Sequence, residues 1–470
     1  MRDKLLPDIH TALREAGLCD GMTVSFHHHL RNGDHVVNMT LEAAAKLGVK
    51  DLTIAASSIF PVHAPMVGHM RSGVIAGLDT NYISGAVAEA VSRGILAKPV
   101  MFRSHGGRPR AIGEGSLPID IAVVAAPCVD AMGNINGTDG PSACGAMGYI
   151  MPDAQRARRV IAVTDTLSAT PLPRIAIPHS QVEYIVKVDS IGDPTGIVSG
   201  STSVTRDPIA HSIARSAAAL IRASGLLRDG FCFQTGAGGA SLATAGYLRE
   251  DMRRMKIQGG FLLGGITQHM VDMLEEGLFQ AIYDVQCFDL ASVASLRRHA
   301  THHEISADTY ANPSQKSCAV DFLDAVLLGA TEIDTAFNVN VHTDSNGMII
   351  GGSGGHNDAA AGASLAIIAA PLIRARLPIV VERCTTITTP GNTVDALVTE
   401  RGIAVNPARA DLAERLRGSG LRLRRIEDLR AEALSQTGLP EKVAFSEKIV
   451  GIVEYRDGAI IDSMYAPMGE

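Results

Sequence analysis

The sequence predicts an α/β protein of two similar open α/β domains, residues 1–207 and 208–470, with the active site between them. Three observations predict it. Short β-branched apolar runs closed by Asp recur in the first half: "IDIAVVAAPCVD" (119–130), "RVIAVTD" (159–165) and "EYIVKVD" (183–189). Such runs, separated by helical segments, are what a parallel sheet buried on both faces produces. The same strand–helix alternation restarts after residue 207. Finally, 46% of the 470 residues are hydrophobic, and that length favours two or three domains over one.

Taken in order, residues 8–17 read as an opening helix and "GMTVSFHHHLRNGD" (21–34) as a strand running into a loop. In "VVNMTLEAAAKLGVKDLTIAASS", Leu41, Ala44, Ala45 and Leu47 have helical spacing, and "LTIAASS" is the strand that follows. The Gly-, Ser-, Thr- and Pro-rich stretch 190–208 is the expected interdomain linker. Asp207 caps the next helix, with Pro208 at its first position. Then come the strand and loop "FCFQTGAGG", the helix "ASLATAGYLREDMRRM", the strand "GGFLLGG" and the helix "TQHMVDMLEEG" closed by Gly277. The strand "QAIYDVQCF" and the helix "LASVASLRRH" follow. "EIDTAFNVNVHTDSNGMIIGG" reads as two strands joined by an Asp344–Gly347 turn, and "IVGIVEYRDGAIIDSMY" as a hairpin turned at Asp457–Gly458.

Two stretches pose the functional question. "CFQTGAGGASLATAGYL" (232–248) and "IIGGSGGHNDAAAGASLAII" (349–368) each run from strand-like residues through a GxGG loop into a helical-looking, alanine-rich segment. A strand, a glycine loop and a helix form an anion site, because free amides at a helix start carry partial positive charge and glycine lets a ligand approach the backbone. In the second loop Asp358 reads as the N-cap, with the amides of 352–356 exposed ahead of it. Neither loop is followed by Lys-Ser/Thr and neither is GxGxxG, so a P-loop and a dinucleotide fingerprint are both excluded. A single such loop is equally a tight βα turn. Two of them favour a site for an acyl or phosphate-bearing ligand whose amides stabilise a developing oxyanion.

Charge and composition exclude other classes. The net charge is −7 with no long Lys/Arg run, which argues against nucleic-acid binding. Seven scattered cysteines without a CxxC pair suit a reduced cytoplasmic protein. The charged N-terminus lacks a signal-peptide core, and the longest apolar run, Ala359 to Ile373, is too short to span a bilayer. The three histidines of "FHHHLRNGD" have no partners at metal spacing, so no metal site is expected. His27 and His29 share one side of the strand and His28 faces the other. No GxSxG elbow is present, and Ser353 in "GSGG" lacks the nucleophile-elbow helix.

"FQTGAGGASLATAGYL", "TQHMVDMLEEG", "SADTYANP" and "TEIDTAFNVNVHTDSNGMIIGGSGGHND" resemble the second half of the CoA-transferase superfamily. "SFHHHLRNGDHVVN", "SACGAMGYIMPDAQRA", "ANPSQK" and "NVNVHTDSNG" are more closely similar to the citrate lyase alpha chain family, and the resemblance covers essentially the whole chain. It implies a CoA-transferase fold and the exchange of acetate for citrate on a thioester-bearing acyl carrier subunit. The partners it implies are the beta (lyase) subunit, the gamma acyl carrier subunit, citrate, and acetyl-carrier or acetyl-CoA, in an oligomer. No cofactor is expected on this chain itself; the CoA-derived prosthetic group belongs to the carrier, and free acetyl-CoA stands in for it.

Many superfamily members carry a nucleophilic glutamate on the strand before "TQHMVDMLEEG". Here that strand reads "GGFLLGGI", with Gly264 and Gly265 in the expected neighbourhood, so direct transfer in a ternary complex is expected instead. Glu275 and Glu276 are read as solvent-facing. The expected catalytic groups are Gly236, Gly238, Gly354 and His356. The expected substrate-binding groups are His27, His28, Arg31, Gly239, Gly264, Asn340, Gly352, Ser353, Gly355 and Asn357. Arg31 and one histidine would hold citrate carboxylates by charge-assisted hydrogen bonds. Asn340, polar among valines on a predicted strand, needs a partner that a substrate carbonyl could provide. His299, His302 and His303 are explained by a helix end. Two other readings stay open: a transferase or thioesterase of other specificity, such as a malonate decarboxylase alpha subunit, and a noncatalytic scaffold that docks the carrier.

Overall fold

A computed structural model describes residues 4–27, 29–198, 205–236 and 238–468. It contains two large sheets. The first has ten strands in the order Leu5–Leu6, Tyr184–Lys187, Arg159–Thr164, Ile121–Ala126, Thr23–His27, Leu52–Ala56, Ile75–Thr80, Val100–Phe102, Phe445–Glu454, Ile460–Pro467. The second has nine: His302–Glu304, Phe279–Cys287, Gly259–Ile266, Phe233–Thr235, Ala325–Leu328, Ala366–Ala369, Ala396–Thr399, Gly402–Val405, Leu423–Arg424. Every residue of Ile121–Ala126 and of Ala325–Leu328 is buried, the burial pattern of central parallel strands.

The two sheets share a strand order. In the first, Thr23–His27 pairs in parallel with both Leu52–Ala56 and Ile121–Ala126. In the second, Phe233–Thr235 pairs in parallel with both Gly259–Ile266 and Ala325–Leu328. In each half, successive strands run outward on one side of this strand before the chain crosses to its other side. That crossing is a topological switch point, and α/β sheets bind ligands at the carboxyl ends of strands there. The histidine loop after His27 and the glycine loop after Thr235 therefore occupy equivalent places.

Several expectations need correction. The division at 207 misses the C-terminal hairpin: Gly451–Val453 pairs in parallel with Val100–Phe102, so the tail returns to the first sheet. Buried Arg103 clamps it there, bonded to Asp79 and Glu454. Of the expected linker, residues 190–198 are docked on the first half, where Asp193 N–H donates to Gly33 carbonyl at 2.8 Å and His35 N–H to Ile191 carbonyl at 3.1 Å. Residues 199–204 lie outside the described residues. Asp207 does cap the helix Pro208–Ala223, accepting from Ile209 N–H at 3.0 Å. The alanine-rich run after the second glycine loop divides into a short helix, His356–Gly362, and a strand, Ala366–Ala369. Asp358 is not its N-cap; Gly355 is. The Asp344–Gly347 turn forms, but between an isolated bridge, Thr343 to Ile349, rather than two strands.

The halves are joined by buried polar bonds. The Asp358 carboxylate accepts from Ser104 Oγ at 2.8 Å and from Gly106 N–H at 2.9 Å. Gly148 N–H donates to Val285 carbonyl at 3.1 Å, and Glu304 accepts from Met147 N–H. Burial pushes the Glu304 carboxyl up to about 7, partly offset by the Met147 amide. Its folded pKa therefore lies above its unfolded value of about 4.3. Glu304 weighs against folding above pH 7, and that penalty fades as pH falls toward the unfolded pKa. Glu304→Gln keeps an acceptor for Met147 and is expected to raise the thermal midpoint most near pH 8 and hardly at all near pH 5. Melting curves across that range check it; a gain independent of pH would contradict the assignment.

Candidate active site

A cleft of about 790 Å³ lies between the halves, within the usual size for small-molecule sites. Both glycine loops line it, together with His105 and Tyr149 from the first half. Its lining includes exposed Asp207, Ile209, Arg374 and Ala375 at the rim and buried Tyr149, Gln234, Tyr310 and Ser353 inside.

The two loops do different work. After Phe233–Thr235, the Gly236 amide donates to Leu327 carbonyl at 2.8 Å and so extends the sheet. Gly236 lines the cleft but has no amide to offer. Gly238 is the N-cap of the 17-residue helix Gly239–Met255, with φ −74° and ψ 152°, and no side chain caps it. Gly239, Ala240 and Ser241, which open this helix, all line the cleft. Their amides are the orphan donors of a long helix whose dipole puts roughly half a positive charge at this end. The strand, loop and helix that the sequence predicts form here, and the helix start lies in the cleft lining.

The second loop is a clasp. The helix that follows it has seven residues, too few to sum a useful dipole. Of the amides expected to be exposed, Gly354 N–H donates to Asn81 carbonyl at 3.3 Å and His356 N–H to Ser353 carbonyl at 2.8 Å. Gly354 carbonyl accepts from His105 N–H at 2.8 Å, and Gly351 carbonyl from Ile83 N–H at 3.2 Å. A Cβ at Gly352 would lie 2.1 Å from the Asn81 carbonyl oxygen, so only glycine allows this loop to seat on the first half. Gly355 likewise abuts the Tyr310 hydroxyl.

Several expected site residues serve the fold. His356 borders the cleft, but its Nε2–H donates to Gly329 carbonyl at 2.8 Å and its Nδ1 accepts from Thr389 Oγ1 at 2.7 Å. A carbonyl only accepts, so this assigns the Nε2–H tautomer. Burial pushes its pKa down to about 4. The imidazole is neutral with both nitrogens engaged, which makes His356 a positioning residue and not a catalytic one. Asn340 is buried: its Nδ2 donates to Glu332 and Thr343, both at 3.0 Å, and its Oδ1 accepts from the amides of His342 and Thr343. No capacity is left for a substrate. Asn357 is buried behind the loop and donates to Thr388 carbonyl at 3.3 Å. Gly264, with φ +102°, lies beneath the Gln234 side chain and outside the cleft lining; its missing side chain makes room for Gln234.

On the first-half side, His27 and His29 do share a face, with ring centroids 4.3 Å apart. His27 is buried, hydrogen-bonded through Nδ1 to Ser57 Oγ, and packs edge-on to Tyr149 at 5.1 Å. It backs the cleft wall through Tyr149. His28 lies outside the described residues. Arg31 is half-buried with its guanidinium 4.5 Å from the Phe288 ring centroid and 5.4 Å from that of Phe60. Nη1 reaches Ile197 carbonyl at 3.4 Å, and among the described residues no carboxylate forms an ion pair with it. Burial pushes its pKa down, with Tyr82 and Tyr149 acting the other way. A desolvated guanidinium without an acid partner is a ready site for a ligand carboxylate.

His105, Tyr149, Gln234 and Tyr310 escaped the sequence reading. His105 stacks on Tyr149 at 4.0 Å and is a lone histidine in "FRSHGG" without local pattern. Gln234 had a signal: it is the amide side chain that directly follows the apolar "FCF". The cleft holds one acid among its described lining residues, Asp207, and that one is a helix cap. A side chain at residue 265 would have to displace the Phe288 ring, since a Cβ there would lie 2.1 Å from it. Glu276 is on the surface, held down to about 2 by Arg249 and Arg253, and Glu275 pairs with His299 at 3.0 Å. Among the described residues no cluster of potential metal ligands occurs and no helix is long and apolar enough to cross a membrane.

Comparison with known proteins gives the family. The profile of the family "Citrate lyase, alpha subunit (CitF)" matches residues 2–466. The citrate lyase alpha chain of Escherichia coli (strain K12) is 48% identical over 462 residues, covering 98% of this chain and 91% of the relative. That of Klebsiella pneumoniae is 46% identical over 459 residues, covering 98% and 90%. The crystal structure of the putative alpha subunit of citrate lyase from Streptococcus mutans, in complex with citrate, superposes with a TM-score of 0.97 at 47% identity, covering 99% of this chain and 92% of that one. A malonate decarboxylase alpha subunit from Acinetobacter baumannii shares the fold, with a TM-score of 0.67 at 15% identity over 93% of this chain and 96% of that one. On sequence, fold and extent of match together, the chain belongs to the citrate lyase alpha subunit family.

Proposed function

We propose that this chain is the CoA-type transferase of a citrate lyase, exchanging acetate for citrate on an acetyl thioester without forming an acyl-enzyme. The family membership supports the transferase role. The observation that carries the mechanism is the cleft's chemistry: an uncapped long helix start at Gly239–Ser241 and no free carboxylate among the described lining residues, with the Arg31 guanidinium, unpaired with any carboxylate of the described residues, behind the lining residue Phe288.

The thioester arm enters from the exposed rim. A citrate carboxylate oxygen attacks the acetyl carbonyl carbon, the C–S bond breaks and the thiolate leaves, giving an acetyl-citryl anhydride. The thiolate then attacks the citryl carbonyl of that anhydride and acetate departs. Each step passes through a tetrahedral oxyanion that the helix-start amides stabilise, while Arg31 orients the acid. The thiol is carried by an acyl carrier subunit, with free CoA as its substitute, and a beta subunit takes the citryl thioester onward.

The test is an exchange assay. The full chain with acetyl-CoA is expected to produce citryl-CoA from citrate and no comparable product from malonate or succinate. Equal use of malonate would favour the malonate-specific relatives, and carrier binding without any exchange would leave only a docking role.

A further inference from the structure

Three buried polar atoms of the cleft lining have no partner among the described residues, His105 Nδ1, Gln234 Oε1 and Ser353 Oγ, and two of them sit on the most buried side chains of the three, Gln234 and Ser353, 7% and 6% exposed. Both residues line the cleft. Gln234 is held firmly, its Nε2 donating to the Tyr310 hydroxyl at 2.9 Å and its side chain lying over Gly264, where a Cβ would come within 3.0 Å of Cδ. Tyr310 is itself buried against the second glycine loop at Gly355.

An amide oxygen accepts and never donates, and a buried acceptor left unanswered is costly. The bound ligand must therefore bring a donor to this point. Ionised carboxylates bring none. The thioester arm has amide N–H groups, but in the transfer reading above it enters past the exposed lining residues Asp207 and Arg374, away from buried Gln234. The one donor that a citrate acceptor carries is its tertiary hydroxyl. We propose that Gln234 Oε1 accepts from that hydroxyl, with Ser353 Oγ as its second partner, so that Gln234 selects a hydroxylated tricarboxylate over its deoxy analogue. The assignment rests on the citrate-transfer reading above.

The experiment compares citrate with propane-1,2,3-tricarboxylate as acceptors for the full chain and acetyl-CoA. Wild type is expected to prefer citrate by about 10²-fold or more in kcat/KM, since a site built around a hydroxyl rejects the analogue that lacks it. Gln234→Leu is expected to bring the two acids within about threefold by lowering citrate alone, leaving the KM for acetyl-CoA unchanged. Loss of both acids in equal proportion, or an unchanged preference, overturns the assignment. A shift confined to the KM of acetyl-CoA does so too, by handing the acceptor to the arm. If the leucine variant does not fold, thermal-shift titration of wild type decides: citrate stabilises it and the deoxy acid does so far less, whereas equal stabilisation overturns the assignment. Exchange with both acids equally sinks only the Gln234 assignment; exchange with neither sinks the transfer reading beneath it.

Discussion

Gly238→Asp is expected to leave the protein as stable as wild type or slightly more so, and to lower kcat for thioester exchange by about 10²–10³-fold. The two effects have one cause. Gly238 has the extended φ and ψ of an N-cap, and a Cβ there meets nothing closer than Ser241 Oγ at 3.9 Å, so aspartate fits without strain. Its carboxylate would accept from the amides of Ala240 or Ser241 and complement the helix dipole, which stabilises the helix. It would also fill the place of the oxyanion and repel it. Gly238→Ala adds the same bulk at Cβ without the charge and is expected to keep turnover within about tenfold. Thermal melts and initial rates on the same samples check the pair. A Gly238→Asp variant that turns over normally would remove the helix start from the mechanism.

The second large effect falls on Arg31. Its guanidinium lies over the Phe288 and Phe60 rings, half-buried, and forms no ion pair with a carboxylate of the described residues, which leaves it free to meet the acid in the proposed mechanism. Arg31→Met is expected to raise the KM for citrate by about 10²-fold, in line with ~3 kcal/mol for a desolvated charge pair, while the KM for acetyl-CoA stays within a few-fold. Arg31→Lys keeps the charge but loses the planar stacking on Phe288 and the forked geometry, and is expected to recover only part of the loss. Steady-state kinetics in both substrates separate the two effects. An unchanged citrate KM in Arg31→Met would place the acid elsewhere.

Much of the fold was legible because parallel strands buried on both faces write themselves as short apolar runs, as in Ile121–Ala126 and Ala325–Leu328. The return of Phe445–Glu454 to the first sheet was not, since its partner Val100–Phe102 is hundreds of residues away and nothing local names it. The site divided in the same way. Gly238 and Gly239 were legible from strand, loop and helix composition. The second loop carries the same letters but ends in a helix of seven residues, and its glycines, while lining the cleft, also permit close contact with Asn81 and Tyr310. Asp358 read as a cap because it precedes an alanine run. Its helix starts two residues earlier, and its carboxylate answers Ser104 and Gly106 in the other half. Asn340 and His356 were read as polar groups awaiting a substrate, but residues distant in sequence, Glu332 and Thr389, satisfy them. Long-range hydrogen bonds of this kind leave no periodic mark.

The central claim is that backbone amides, not an enzyme carboxylate, manage the acyl group. The most direct measurement is intact-protein and peptide mass spectrometry after incubation of the full chain with acetyl-CoA and trapping with borohydride or hydroxylamine. The account predicts unmodified peptides throughout, at times when exchange with citrate is already complete. A reduced or hydroxamate-bearing glutamate or aspartate, formed as fast as turnover, would contradict it.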